Sequence, residues 1–163
     1  MHRLTSLFGL LFLWMSGCAG YGAELREFRV ENHSAEDIFA EVVRYAGTRG
    51  FGADPTETDR TRRLYVSTWR GGGLPIMGRD GGRRVRFFAK IVPTNDGSGW
   101  QINYCFEQQR IGEAGRDLDP EDDDWEAAGQ DVAKERDFQY WMAYTLRGSG
   151  VGTGVEKKAG NDR

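Results

Sequence analysis

The chain has 163 residues and is poor in two residue types that often do chemistry, with two histidines and two cysteines. His2 lies in the extreme N-terminal segment, which leaves His33 alone for the remainder. A histidine-based triad or a multi-histidine metal site therefore has too few parts, and His33, next to Ser34, reads as a residue at a helix start. Long apolar runs are also scarce. The most apolar stretch, Leu4 to Met15, has twelve residues, well short of the roughly twenty that a spanning helix needs. Phosphate-binding signatures are missing too. Gly71-Gly72-Gly73 lacks the lysine and Ser/Thr of a P-loop, and Gly78 to Gly82 lacks a dinucleotide fingerprint, so both read as loop.

What the N-terminus does have is ordered. His2 and Arg3 form a thin positive start, Leu4 to Met15 an apolar core, and Ser16-Gly17 the small residues of a cleavage site, followed at once by Cys18. This arrangement resembles a bacterial lipoprotein signal, although Met15 stands where leucine is usual three residues before the cysteine. The resemblance implies that residues 1–17 are removed and that Cys18 carries lipid, a diacylglycerol with palmitate-type chains. Because Ala19 and not aspartate follows, it also implies delivery to the outer membrane, facing the periplasm. The residues alone also fit an ordinary secretory signal cut after Ala19 or Ala23, whereas the shortness of the apolar run argues against an uncleaved anchor. Residues 1–17 carry one arginine and no acid, so their loss moves the net charge from −3 to −4. With Cys18 lipidated, Cys105 is the only thiol left and no intramolecular disulfide can form. Cys105 lies between Tyr104 and Phe106 and reads as a small, inert strand residue.

The rest divides into a tether with a candidate first strand (18–32), one α+β domain (33–147) and a glycine-rich, charged tail expected to be disordered (148–163). The first strand is expected over Glu27 to Glu31, with Phe28 and Val30 on one side. Ser34-Ala35-Glu36-Asp37 has the form of a helix start, and Ala35, Ile38, Phe39, Val42, Val43 and Ala46 give one apolar stripe that Gly47 or Gly50 ends. Leu64 to Arg70 reads as a strand. Arg83 to Val92 and Trp100 to Gln108 alternate apolar and polar residues about the turn Asn95-Asp96-Gly97-Ser98-Gly99, which predicts an antiparallel hairpin with one dry and one wet face. A second helix is expected within Glu121 to Arg147, with Trp125, Ala128, Val132, Met142 and Leu146 on one face. Phe138, Trp141 and Tyr144 fall off that stripe, so a kink near Asp137 or a helix covered on two sides is expected.

These elements predict a two-layer α+β fold, an antiparallel sheet of three to four strands with two helices on one face. In element order and signal the chain is similar to small lipoproteins of outer-membrane assembly machines, including the lipopolysaccharide-assembly lipoprotein and the helix-grip modules of barrel-assembly lipoproteins. It also resembles a class of short bacterial lipoproteins with a Thr-Trp-Arg segment, here Thr68-Trp69-Arg70, before a basic hairpin strand. The first of these likenesses rests on element order and the signal and has no specific motif, so no binding residue is carried over from it.

Charge is unevenly placed. Residues 60–90 hold eight arginines and one lysine against Asp80 alone, whereas residues 113–126 hold eight acids against Arg116 alone. The stretch Asp117 to Asp124 offers carboxylates for a cation, but Asp122 occupies the position of the EF-hand glycine and Pro120 stiffens it, so a solvated acidic helix start is the simpler reading. Arg84, Arg86 and Lys90 surround Phe88 on the outward hairpin face, the candidate binding face, with Trp69 and Arg70 nearby. A basic face with aromatics suits a protein, an anionic lipid or a phosphate-bearing glycan; export beyond the cytoplasm disfavours nucleic acid. The expectation is a non-enzymatic, lipid-anchored envelope protein without cofactor or metal, held to the membrane through Cys18, that binds an envelope protein or anionic component, as an accessory to outer-membrane assembly. A hydrolase or a purely structural tethered domain is the alternative.

Overall fold

The computed structural model describes residues 23–71, 82–111 and 125–146. Cys18 and its leader, most of the two glycine-rich loops, the acidic stretch Asp117 to Asp124 and the tail lie outside them. The elements are β1 (Arg26–Val30), α1 (Ala35–Arg49), β2 (Leu64–Val66), β3 (Arg70–Gly71), β4 (Arg83–Pro93), β5 (Trp100–Ile111), β6 (Trp125–Gln130) and α2 (Val132–Leu146).

The α+β class holds, with two helices and an antiparallel sheet, but the sheet has six strands and not the expected three to four. The difference comes from divided edges. β4 and β5 pair along their whole length, from Arg83↔Arg110 to Pro93↔Trp100. β1 lies on the Trp100–Tyr104 half of β5 and β6 on the half from Glu107 to Ile111; β2 and β3 divide the free side of β4 in the same way.

Two segments depart from the sequence reading. The strand expected over Leu64 to Arg70 breaks after Val66, because Val66 pairs with Phe88 and Arg70 with Val85, so three intervening residues face only two of β4. Ser67 takes up the irregularity: its N–H donates to the Phe87 carbonyl at 2.8 Å and its hydroxyl accepts from the Phe87 N–H at 2.9 Å. The helix expected within Glu121 to Arg147 begins only at Val132. Trp125–Gln130 is instead a strand, since β1 ends its pairing at Tyr104 and leaves half of β5 open to a partner. Gly129, at φ 85°, sits in a bulge where two residues of β6 oppose one of β5. Asp131 then caps α2, accepting from the Lys134 N–H at 3.1 Å. The helix runs unbroken through Asp137, and its buried residues are Glu135, Phe138 and Met142; Val132, assigned to the apolar face, is 49% exposed.

The first helix forms as its sequence dictates. Ser34 accepts from the Asp37 N–H at 3.1 Å, and Gly50, at φ 73°, ends the helix with its N–H directed at the Ala46 and Gly47 carbonyls. Ile38, Val42, Tyr45 and Ala46 of α1 and Phe138 and Met142 of α2 share one core with Phe87, Ala89, Ile102, Tyr104 and Phe106 of the sheet. Val43 lies outside the stripe expected of it, and Tyr45 holds the inner position instead. In the hairpin turn, Gly99 passes so close to β1 that a Cβ there would lie 2.5 Å from the Val30 carbonyl oxygen.

Candidate binding face

Strand alternation turns Arg84, Arg86, Phe88 and Lys90 away from the helices, so the four candidate residues share one face of β4. Their environments differ. Phe88 is 5% exposed and packs with Val66 and Cys105, flanked by Leu64 and Ala23, so the helix-free face has a small dry core of its own. Lys90 is exposed. Between these extremes, Arg84 and Arg86 are half-buried.

The Arg84 guanidinium carbon lies 4.7 Å from the Trp69 ring centroid and 4.4 Å from that of Trp125, and Arg84 Nε donates to Gln109 Oε1 at 2.7 Å. Arg86 also lies over Trp69, at 5.0 Å, and donates from Nε and Nη2 to Glu107 Oε2 at 3.2 and 3.0 Å and from Nη1 to Glu57 Oε1 at 3.0 Å. Each guanidinium–indole contact is worth about 0.5–2 kcal/mol, more as water is excluded. Among the described residues, the carboxylates that pair with Arg86 come from β5 and from the turn before β2.

Beside this stack lies a pocket of about 70 Å³, lined among others by Ala23, Trp69, Glu107, Gln109 and Gln130. Ala23 reaches it because β6 occupies the edge along which β1 would otherwise extend. The chain before Arg26 crosses onto the helix-free side, where Gln130 Nε2 donates to the Glu24 carbonyl at 2.7 Å and Ala23 packs on the Phe88–Cys105 cluster. Periodicity places Trp125 on a helix face. Its indole joins the binding face only because its segment pairs with β5.

The other chemistry-bearing residues are tied into the framework. Cys105 is fully buried. His33 Nε2 donates to the Leu146 carbonyl at 3.0 Å, joining the start of α1 to the end of α2. Asp137 accepts from the Tyr45 hydroxyl at 3.1 Å and bidentately from Arg49 at 2.9 and 2.8 Å. Burial, and then the Asp137 charge, push the Tyr45 phenol well above its ordinary pKa. Glu135 is 2% exposed and accepts from Arg26 Nε at 3.1 Å and Gln130 Nε2 at 3.0 Å; burial raises its pKa, and the Arg26 bond works against that. Among the described residues no group of three or more His, Cys, Asp or Glu side chains could hold a metal ion, and no helix is long and apolar enough to cross a membrane.

No protein-family model matches the sequence, and no curated protein matches it.

Proposed function

We propose that this chain is a non-enzymatic bacterial envelope lipoprotein, anchored through lipid on Cys18 to the outer membrane on its periplasmic side, whose helix-free sheet face binds an envelope protein or an anionic envelope component. The observation that carries the reading is the Trp69–Arg84–Trp125 stack beside the pocket. Tryptophan and arginine are the residues that most often dominate binding energy, and the Arg84 guanidinium, held 4.7 Å from the half-buried Trp69 ring and 4.4 Å from the buried Trp125 ring, is already ordered before a partner arrives, so little entropy remains to be lost on binding. A cysteine–histidine hydrolase is the poorer reading because Cys105 lies in the core and His33 is spent on a helix-to-helix bond.

Two measurements test this. Mass spectrometry of the membrane-extracted protein should find a mature N-terminus at Cys18 bearing diacylglycerol, and Cys18→Ala should abolish the modification. Co-purification from membranes should weaken in Trp69→Ala and Lys90→Glu but not in Tyr144→Ala. Equal recovery in all three variants would place binding elsewhere.

A further inference from the structure

The helix-free face lies on the side of the domain from which the tether departs. Ala23 packs on the Phe88–Cys105 cluster and lines the pocket, while both helices cover the opposite face of the sheet. Taking the lipid on Cys18 from the functional reading above, four residues separate it from Ala23. At about 3.3–3.6 Å per residue, that length of chain reaches at most about 18 Å. A helix layer places its outer surface some 15 Å from the mid-plane of the sheet it covers, given a helix diameter of about 10–12 Å and a layer spacing near 10 Å. With α2 turned to the bilayer, Ala23 would stand about 20 Å above it, on the far side of the sheet and beyond the tether's reach.

We infer that the helix-free face is docked on the phospholipid headgroup layer that holds the anchor, with the stacked Trp69 and Arg84, the exposed Lys90 and the mouth of the pocket turned toward lipid. Indole rings and cationic side chains are the groups best suited to that interface. The tether length argues against the helix side, and the side chains of the helix-free face fit the headgroup layer. Tyr140 and Tyr144, 70% and 83% exposed on α2, then point into the aqueous compartment.

The test uses full-length lipidated protein in vesicles of phosphatidylethanolamine and phosphatidylglycerol containing a headgroup-labelled acceptor lipid. A donor fluorophore is placed through Lys90→Cys in one variant and Tyr144→Cys in another, with the parent chain, whose Cys105 is buried, as background. Mass spectrometry of each preparation first establishes the anchor. Energy transfer from the Lys90→Cys label is expected to exceed that from the Tyr144→Cys label severalfold. With the anchor present, equal transfer from both, or greater transfer from Tyr144→Cys, overturns the docked orientation and leaves the anchor standing. Absence of lipid on Cys18 overturns the anchor and the orientation with it.

Discussion

The two faces of the sheet are built from the same two strands by different chemistry. On the helix side Phe87 and Phe106 stack at 4.6 Å, and Tyr45 and Phe138 meet edge-on at 4.9 Å, in a core closed by both helices. On the other side Arg84, Arg86 and Glu107 of those strands form, with Trp69 and Trp125 from flanking segments, an arginine–tryptophan–carboxylate layer over a few apolar side chains. The first face gains from transfer of apolar area out of water. The second holds charged groups half out of water and must satisfy each of them. The helix side therefore stabilises the domain by burial, and the helix-free side by matching its charges to one another.

The largest expected effect lies on the helix side. Phe87→Ala should cost about 3–5 kcal/mol in a urea titration, because it empties the point where α1, α2 and both central strands meet. A loss under 1 kcal/mol would mean that the rings are not the mainstay of the fold.

On the helix-free side, Arg86→Gln should cost about 2 kcal/mol, since it leaves the Glu107 carboxylate, whose side chain is only 10% exposed, without its ion partner. The partial exposure of the pair holds the figure below that of a fully buried one. A double-mutant cycle with Glu107→Gln should recover part of the loss, and additive effects would show that the pair is not coupled. Ser34→Ala, which removes the cap of α1, should cost about 1 kcal/mol and is indifferent to which face dominates.

How much of this is legible in the sequence depends on whether a signal is local. The cap at Ser34, the stripe of α1 and the hairpin about Asn95 to Gly99 are readable because capping groups, period and turn residues lie within a few positions of one another. Trp125–Gln130 is not, because Glu126, Ala127 and Ala128 are compatible with a helix and become a strand only through the open half of β5. The division of the Leu64 to Arg70 segment likewise depends on its register with β4. Alternation correctly groups Arg84, Arg86, Phe88 and Lys90 on one face, but it cannot show that Phe88 is covered by Val66 and Ala23 or that Glu107 and Glu57 are matched to Arg86.

A smaller effect is visible only as pH dependence. Burial raises the Glu135 pKa above its ordinary value of 4.5, so the folded state holds this proton more tightly than the unfolded one does. The associated stability is fully present below pH 4.5 and is lost as pH rises through the folded-state value. Glu135→Gln should flatten that part of the stability profile. An unchanged profile would show that Arg26 fully compensates the burial.

The smallest effect on stability is expected at Lys90, where replacing an exposed side chain should change unfolding by less than about 0.5 kcal/mol. Position 90 therefore offers the most direct test of the contrast between the faces. A photo-crosslinking residue placed there, and another in place of Tyr144, should leave folding intact in native membranes. Adducts with lipid or an envelope protein are predicted from position 90 and none from position 144; adducts from position 144 alone would contradict the assignment of recognition to the helix-free face.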